Sequence, residues 1–528
     1  MKEYITVIGG GLAGAEAAYQ IAKQGIPVHL YEMKPYNYSP AHNNENLAEI
    51  VCSNSFKSNL LTNACGLLKE ELRKLDSLLI NTADNCKVPA GQALAVDREQ
   101  FAKKITTVLE EEKLIKIIRK EVKSKYNDED NSINLSTKTE ENVESRSKKV
   151  EENIYIEDMI EDGIVIIATG PLTSNSLSIG IQHLIKEDEL HFYDAQAPII
   201  EKDSINFNIA FYGNRYEQEK KKDETLEEWT ERINNKQNVT ETNIKLNQQK
   251  KDNISKLSED NSYINLPMNK EEYENFVNEL INAEVVTLKE FEKREIFEGC
   301  MPIEIMAKRG RDTLRFGPLK PVGFDDPRTA KRPYAVVQLR QDNNKATLYN
   351  IVGFQTNLKF GEQKRVFEMI PGLENAEFEK YGVMHRNTFI NSPKLLDDTY
   401  NLKINNNVYF AGQITGVEGY VESISSGLIA GVNAVKMYQH NYLKKDKINI
   451  SKGILEKKGK TKEDNKIEFP EETMIGALAK YISSPNDSFQ PMNANFGIMP
   501  ELEGPRIKDK KLRYQKIAER SLKHFNNK

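Results

Sequence analysis

The chain has 528 residues, of which 38% are hydrophobic and 29% are charged, and its formal net charge is −5. This length is enough for two or three domains with a large core. No apolar run approaches the roughly 18 to 20 residues that a membrane-spanning helix needs. The N-terminus leads directly into a strand, without the features of a signal peptide. We therefore expect a cytoplasmic protein with no membrane partner.

Four cysteines are too few for a disulfide framework in a chain of this length. They are Cys52, Cys65, Cys86 and Cys300, and no two of them form a C-x-x-C pair. The sequence therefore gives little support to a dithiol redox centre, and we expect no metal site. An isolated cysteine is most often a small buried apolar residue, which is the prediction for Cys65 and Cys86.

The chain begins with a predicted strand, glycine turn, helix and second strand at residues 4–8, 9–14, 13–24 and 28–31. In a G-x-G-x-x-G turn the first glycine permits the tight turn and the second lets the backbone approach a pyrophosphate. The third lets the helix pack closely on the strand. The helix N-terminus attracts phosphates, and Glu32 is placed to accept hydrogen bonds from a ribose. This unit predicts dinucleotide binding.

Two later segments are expected to return to this site. Apolar residues 164–168 lead into Thr169-Gly170-Pro171, and residues 408–410 lead into Ala411-Gly412-Gln413. An apolar helix is predicted at 423–435 after further glycines. Both segments resemble those that contact the cofactor in flavoproteins with two dinucleotide-binding folds. Their order along the chain favours FAD over NAD as the bound dinucleotide.

The intervening sequence divides into helical and charged segments. Amphipathic helices are predicted at 66–80 and 97–109. Residues 119–162 and 217–262 are rich in charged and amide side chains, and we interpret both as solvent-exposed, partly disordered insertions. A third charged segment, 443–468, is expected to be a loop.

These segments predict an α/β fold, in which a Rossmann-like FAD-binding domain contains an inserted second α+β domain. The FAD-binding domain would comprise residues 1–196 and 361–528, and the inserted domain residues 197–360. The chain would end in a basic helix.

Longer motifs point to one family. They are GGGLAGAE (9–16), VCSNSF (51–56), VPAG (88–91), FEGCMPIE (297–304), RGRDTLR (309–315), VGFQT (352–356), HRNTF (385–389), GQITGVEGY (412–420) and NFG (495–497). Together they resemble the folate- and FAD-dependent tRNA (uracil-5-)-methyltransferases, the TrmFO family, which is related to the MnmG (GidA) flavoproteins. The resemblance covers nearly the whole chain apart from the two charged insertions.

The resemblance implies a specific reaction. The one-carbon unit of 5,10-methylenetetrahydrofolate would be placed on C5 of a T-loop uridine in tRNA. Reduced FAD would bring it to the methyl level, and NADH or NADPH would reduce the flavin. Uracil C5 is a poor nucleophile until a thiolate adds to C6. The resemblance implies Cys52 and Cys300 as the catalytic cysteines, without dividing the two roles between them.

The expected FAD contacts come from the glycine turn and the two returning segments. They are Gly9, Gly10, Gly11, Leu12, Ala13, Gly14, Glu32, Thr169, Gly170, Gly412, Gln413 and Gly419.

A basic stretch from Lys308 to Arg332 has eight Lys or Arg against three Asp or Glu. Such a stretch can contact tRNA phosphates or the glutamate tail of folate, and we select Arg309, Arg311 and Arg315 as candidate contacts. A solvated charged face is the alternative. His385 and Arg386 could contact folate or flavin, or could serve only the fold.

Three other functions remain open from the sequence. The first is an MnmG-like protein that uses FAD and folate to modify the wobble uridine of tRNA. The second is a flavin- and RNA-binding protein without thiol chemistry, and the third is a simple NAD(P)H-dependent flavin oxidoreductase. The oligomeric state is not predicted.

Overall fold

A computed structural model gives the structure of residues 2–126, 153–187, 190–215, 263–286, 301–326, 328–442, 466–487, 489–505 and 507–525, with isolated positions between 228 and 235. Of the charged stretch 217–262, little lies within these ranges. Cys300 lies outside them. Among the described residues, no helix is both long and apolar enough to cross a membrane.

The first part of the chain alternates strands and helices. In chain order its elements are β1 (Ile5–Ile8), α1 (Leu12–Lys23), β2 (Val28–Glu32), β3 (Ser55–Ser58), α2 (Ala64–Lys74), α3 (Leu78–Asn85), β4 (Lys87–Val88), β5 (Ala93–Val96), α4 (Arg98–Glu111), β6 (Ile115–Arg119), β7 (Val122–Lys123), β8 (Ile154–Tyr155), α5 (Ile156–Asp162), β9 (Val165–Ile167) and α6 (Asn175–Ile185). The predicted strand–turn–helix–strand unit is confirmed by β1, α1 and β2.

The middle part forms a second sheet with helices. Its elements are β10 (Leu190–Ala195), β11 (Ile199–Glu201), β12 (Phe211–Gly213), β13 (Tyr263–Met268), α7 (Lys270–Asn282), α8 (Ile303–Lys308), α9 (Thr313–Phe316), β14 (Ala335–Gln341), β15 (Leu348–Ile351), α10 (Phe360–Phe367) and β16 (Phe378–Lys380). The elements of the last part are β17 (Met384–Phe389), α11 (Ser392–Leu395), β18 (Asn401–Leu402), β19 (Asn405–Phe410), α12 (Tyr420–Tyr442), α13 (Met474–Ser483) and α14 (Lys510–Lys523). Of these, β18 and β19 return to the first sheet, whereas β17 pairs with β10 in a separate two-stranded sheet.

The first sheet has the strand order β18-β19-β9-β1-β2-β6. Its five strands from β19 to β6 pair in parallel, so the ends of β1, β9 and β19 lie side by side at one edge. Ligands of open parallel sheets bind outside these carboxyl ends. The α/β fold class and the return of the two later segments to the glycine turn are thus confirmed.

The second sheet, β12-β13-β14-β15-β11-β16, pairs antiparallel throughout. Two large cores accompany the two sheets. The first is built from residues before 186 and after 388, and the second from residues between Ala197 and Ala376. The second core continues beyond residue 360, where the sequence suggested a domain boundary, because α10 packs Val366 and Phe367 into it.

Two local predictions need correction. The helix expected at 66–80 is two helices, since Asp76 adopts a left-handed φ of 57° and the Ser77 hydroxyl caps α3 by accepting from the Ile80 amide. The charged stretch 119–162 is not wholly a solvent-exposed excursion. At its two ends β7 pairs with β8 and α5 follows, with Val122 and Met159 buried.

Candidate functional site

The glycine turn after β1 is shaped by contacts that a side chain would destroy. Gly9 has a φ of 100°, and a Cβ there would lie 2.5 Å from the Ala168 carbonyl oxygen. A Cβ on Gly14 would lie 1.8 Å from the Gly9 carbonyl oxygen. A Cβ on Gly11, in contrast, would meet no atom within 4 Å. The turn therefore packs tightly on the sheet side and leaves open space where the backbone of Gly11 faces outward.

The first turn of α1 suits an anionic group. Gly11 is the N-cap residue, and no side chain caps the helix, so its backbone N–H groups and dipole are available for phosphates. Together with the open space at Gly11, this geometry fits the pyrophosphate of a dinucleotide.

Glu32 at the end of β2 is fixed by backbone hydrogen bonds. Its Oε2 accepts from the Gly10 amide at 2.8 Å, and its Oε1 accepts from the Lys34 amide at 3.0 Å. Each carboxylate oxygen keeps a second lone pair. The carboxylate therefore stabilises the turn and can still accept a ribose hydroxyl from the cleft.

A cleft of about 1130 Å³, including its open mouth, runs along the ends of β1, β2, β9 and β19. Nine of the twelve residues selected from the sequence line it: Gly9, Gly11, Leu12, Ala13, Glu32, Thr169, Gly170, Gly412 and Gln413. Gly10, Gly14 and Gly419 are not among the lining residues. Gly10 faces Leu47 and Glu32, Gly14 faces the sheet, and Gly419 faces the Glu422 carboxylate.

Sequence reasoning missed a polar cluster on the cleft wall beyond Glu32. Lys34 and Glu49 form a nearly buried ion pair at 3.1 Å, with side chains 5% and 7% exposed. Beside them, the His42 Nδ1 and the Ser39 hydroxyl lie 2.5 Å apart. Burial, assisted by the Lys34 charge, lowers the pKa of His42. This cluster belongs to an irregular segment without periodicity, so no pattern in the sequence marked it.

The Cys52 loop lies beside the cleft and is held by hydrogen bonds to Tyr420 and Arg98. The Tyr420 hydroxyl oxygen accepts hydrogen bonds from the Cys52 and Ser53 amides at 2.9 and 3.0 Å. Arg98 donates to the carbonyl oxygens of Ile50 and Val51. Tyr420 and Val51 themselves line the cleft. The backbone of the predicted catalytic cysteine is therefore fixed next to the predicted cofactor site.

Residues of β14, of the position that follows it and of β10 complete this arrangement. The Arg340 guanidinium in β14 donates to the Asn54 side-chain oxygen at 2.9 Å and to the Ser53 hydroxyl at 2.7 Å. Asp342 pairs with Arg98 at 3.0 Å. The Cys52 Sγ lies 3.9 Å from the carbonyl oxygen of Ala195, the last residue of β10. The Cys52 loop therefore sits where the two sheets meet.

The other cysteines behave as the sequence predicts, as far as the described residues reach. Cys65 and Cys86 are buried, 3% and 2% exposed. Burial raises the pKa of the Cys65 thiol to about 11, and burial also raises that of Cys86. Both thiols are consequently poor nucleophiles at neutral pH. Cys300, the second predicted catalytic cysteine, lies outside the described residues.

The selected arginines differ in their surroundings, and none lines the cleft. Arg309 and Arg311 are exposed and follow α8. Arg315 instead lies against the Tyr334 ring at 3.6 Å, donates to the Tyr334 carbonyl oxygen and pairs with Asp312. Its contacts serve the packing of α9, which leaves Arg309 and Arg311 as the accessible cations.

His385 and Arg386 lie in β17, which pairs antiparallel with β10, the strand that ends at Ala195. The structure describes their backbone but not their side chains. β10 and β17 form a separate two-stranded sheet, which reaches the Cys52 loop at Ala195. A folate or flavin contact of His385 and Arg386 stays a prediction.

A family model and two solved structures relate the chain to the GidA proteins. The family model "Glucose inhibited division protein A" matches residues 4–260 and 239–442. Two structures of GidA from Aquifex aeolicus share the fold, with TM-scores of 0.59 and 0.60 at 15% identity; they cover 99% of this chain, which spans 73% and 76% of theirs.

Curated relatives are much more similar in sequence. The chain is 49% identical to a protein of Acetivibrio thermocellus and 47% identical to one of Halalkalibacterium halodurans, over 99% of this chain and 98% of each relative. A third, from Brevibacillus brevis, is 48% identical over 99% of this chain and 97% of its own length. All three are named methylenetetrahydrofolate–tRNA-(uracil-5-)-methyltransferase TrmFO. With identity of this extent over the whole chain, the protein belongs to the TrmFO family, within the wider GidA group.

Proposed function

We propose that this protein transfers the one-carbon unit of 5,10-methylenetetrahydrofolate to C5 of the T-loop uridine of tRNA, forming 5-methyluridine. FAD is the cofactor, and NADH or NADPH is the electron source. The observation that carries the proposal is the attachment of the Cys52 loop to Tyr420, a residue of the cleft wall. A thiol beside a dinucleotide cleft is what a flavin-dependent methylation of uracil requires.

Different residues of the cleft would bind different parts of FAD. The open turn at Gly11 and the uncapped start of α1 would hold the pyrophosphate of FAD, and Glu32 its ribose. Gly170 and Gly412, at the ends of β9 and β19, would lie along the rest of the cofactor. When bound and reduced, FAD supplies the two electrons that convert a methylene unit to methyl.

Cys52 would act as a nucleophile or assist proton transfer at the uracil ring. Its amide is held by the Tyr420 hydroxyl, whose oxygen accepts two amide N–H groups. With both acceptor positions of that oxygen in use, the Tyr420 hydroxyl can still donate one hydrogen bond. Burial and the nearby Cys52 raise the pKa of Tyr420, so the hydroxyl stays protonated at neutral pH.

The exposed cations Arg309 and Arg311 would contact the tRNA backbone, whose phosphates favour guanidinium partners. The target uridine lies in a folded loop, so it has to be exposed before it reacts. A cytoplasmic location is part of this proposal, since tRNA and reduced nicotinamide nucleotides are both available there.

The test is a transfer assay with purified full-length protein, FAD, NADPH, a tRNA transcript and folate labelled in its one-carbon unit. Label in 5-methyluridine of the T-loop, absent when NADPH is omitted, is the expected result. A transcript with the T-loop uridine replaced by cytidine is the matched control. No label, from protein that keeps a flavin spectrum, would contradict the proposal.

Wobble-uridine modification is the second candidate, because the matching family model and the similar solved structures are those of GidA. The 47 to 49% identity to TrmFO proteins favours the T-loop. Mapping modified nucleosides in tRNA from a strain that lacks this gene separates the two by position.

A further inference from the structure

Phe316, the last residue of α9, is the most exposed of the large hydrophobic residues in the described ranges. It is 81% exposed, and within those ranges its ring stacks on no aromatic ring and lies against no cation. Single apolar residues at a surface are common. The exposure of Phe316 therefore acquires meaning only from the backbone and the charges around it.

The backbone that carries Phe316 is fixed on both sides. Leu314 is fully buried, and its carbonyl oxygen accepts from the Leu319 amide at 2.8 Å. The Arg315 guanidinium lies over the Tyr334 ring, 3.6 Å from its centroid, and donates to the Tyr334 carbonyl oxygen at 3.0 Å. The Phe316 ring is thus held in solvent by a backbone that is already ordered, so a partner can bind it without the cost of ordering the segment.

Cations without acidic partners flank the ring. Lys308, Arg311 and Lys320 are exposed, and within the described residues their side chains form no ion pair and no hydrogen bond. The Phe316 amide donates to the Asp312 carbonyl oxygen at 3.2 Å, which places Arg311 one turn of helix before the ring. The Asp312 carboxylate is already paired with an arginine at 2.8 Å. This surface therefore combines an exposed aromatic ring with uncompensated positive charge.

A second exposed aromatic residue lies in different surroundings. Phe360, at the start of α10, is 55% exposed, and its ring stacks on Tyr381 with the two centroids 5.1 Å apart. The cations beside it, Lys359 and Arg365, pair with glutamates at 2.6 and 2.5 Å. Phe316 differs in both respects, since its ring is unstacked and the cations beside it are available to an anionic partner.

The segment with Phe316 is connected to the Cys52 loop by a chain of contacts. The Cys52 Sγ lies 3.9 Å from the Ala195 carbonyl oxygen, and the carbonyl oxygen of the next residue accepts from the Thr356 amide at 3.3 Å. The Thr356 hydroxyl donates to Glu304 in α8 at 2.9 Å. The helix α8 has six residues and is about 9 Å long, and α9 follows it. A folded RNA loop that presents one nucleotide to Cys52 can therefore reach Phe316 with another.

We propose that the Phe316 ring stacks on an unpaired base of the tRNA substrate, while Lys308, Arg311 and Lys320 bind the phosphates beside that base. The proposal rests on the proposed function for the class of substrate. Proteins that recognise RNA loops stack unpaired bases on aromatic side chains, and every base offers a face that can stack. Phe316 is thus a positioning residue for the RNA and takes no part in the chemistry.

Charge favours RNA over a second copy of this chain as the partner. A two-fold interface centred on Phe316 would bring the same surface of both copies together. It would place Lys308, Arg311 and Lys320 of one copy against those of the other, and like charges placed together across an interface repel. The phosphates of RNA are attracted by the same cations.

The experiment measures the affinity of the full-length flavin-loaded protein for a tRNA transcript at several salt concentrations, without folate or NADPH. Phe316→Ala should lower the affinity by about 5-fold or more at every salt concentration, as the loss of one base–aromatic stack does. Because the ring carries no charge, the slope of log K against log[salt] should stay unchanged. Arg311→Gln should instead reduce the magnitude of that slope by about one, because it removes a phosphate contact.

Three controls separate stacking from other effects. Phe316→Tyr keeps a ring that can stack and should retain most of the affinity. Phe360→Ala removes an exposed ring among paired cations and should bind tRNA as the wild type does. A fully paired RNA duplex offers phosphates but no unstacked base, so the wild type and Phe316→Ala should bind it equally.

Tryptophan fluorescence reports the stack directly. The chain has one Trp, and Phe316→Trp adds a second, whose emission should be quenched by tRNA and not by the duplex. Equal tRNA affinities of Phe316→Ala and the wild type would overturn the proposal. A change in the mass of the RNA-free protein in Phe316→Ala would also overturn it, by assigning the ring to an interface between copies. Weaker tRNA binding by this variant, together with absent methyl transfer by the wild type, would refute the proposed function alone.

Discussion

The glycine turn and the Cys52 loop adjoin the same cleft but are held in different ways. The turn is fixed by two residues at the end of the neighbouring strand β2: Gly9 donates to the Tyr31 carbonyl oxygen at 2.8 Å, and Gly10 donates to the Glu32 carboxylate. The Cys52 loop is fixed by distant side chains, those of Arg98, Arg340 and Tyr420.

Because of this difference, the glycine turn should be sensitive to substitutions within it, whereas the Cys52 loop should also be sensitive to substitutions far away in sequence. A substitution in the turn acts through the packing of one strand on one helix. A substitution far from Cys52 in sequence can remove one of the contacts that hold its loop and leave the cofactor site intact. The two regions should therefore respond independently, with flavin binding tied to the turn and methyl transfer tied to the loop.

The largest expected effect is that of Cys52→Ala. Removing a nucleophile or proton-transfer group should lower the rate of methyl transfer by at least about 1000-fold. The flavin content and the melting temperature should stay near the wild-type values, because the Cys52 amide still binds Tyr420. The transfer kinetics and the flavin spectrum of the same preparation measure the methyl-transfer rate and the flavin content. Loss of flavin in this variant would show that the cofactor site depends on the Cys52 loop.

Two substitutions in the glycine turn test its separate roles in folding and in cofactor binding. Gly14→Ala places a methyl group 1.8 Å from the Gly9 carbonyl oxygen, so we expect a loss of about 2 to 4 kcal/mol in the free energy of unfolding. Gly11→Ala places its methyl group in open space and should leave the stability of the flavin-free protein unchanged.

Gly11→Ala should nevertheless weaken FAD binding by about 10-fold or more, because its methyl group occupies space that the pyrophosphate requires. Chemical denaturation of flavin-free protein and titration with FAD measure the two quantities. Equal FAD affinity in Gly11→Ala and the wild type would show that the cofactor does not approach this backbone.

The contrast between Cys52 and Cys65 gives a pH-dependent effect on thiol reactivity. Burial raises the pKa of Cys65 to about 11, so its thiolate population at pH 8 is about one part in a thousand. We expect iodoacetamide to modify Cys65 at least about 100-fold more slowly than Cys52 at this pH. The Cys65 rate should increase about tenfold per pH unit up to about pH 11 while the fold persists. Similar rates for both thiols at pH 8 would contradict the assignment of Cys65 to the core.

The glycine turn could be predicted from the sequence, whereas the contacts that hold the Cys52 loop could not. The glycine turn, Glu32 and the segments at Gly170 and Gly412 were predictable, because strand, turn and helix residues lie within a short stretch with a fixed periodicity. The contact between Cys52 and Tyr420 spans 368 positions, and that between Arg340 and Ser53 spans 287. No local pattern encodes such pairs. Cys52 was therefore found by family resemblance, whereas the residues that hold it required the fold.

The smallest expected effect is that of Tyr420→Phe, which removes the acceptor for the Cys52 and Ser53 amides while keeping the ring. Leaving these N–H groups without their partner costs about 1 to 3 kcal/mol, and a displaced loop should slow methyl transfer by roughly 10-fold. Tyr409→Phe is the matched control, since it deletes the hydroxyl that donates to the Asn433 carbonyl oxygen in the core. That control should change the melting temperature slightly and the single-turnover rate not at all. A wild-type rate in Tyr420→Phe would mean that the Arg98 and Arg340 contacts suffice to hold the loop, and that Cys52 depends less on the cleft wall than its hydrogen bonds indicate.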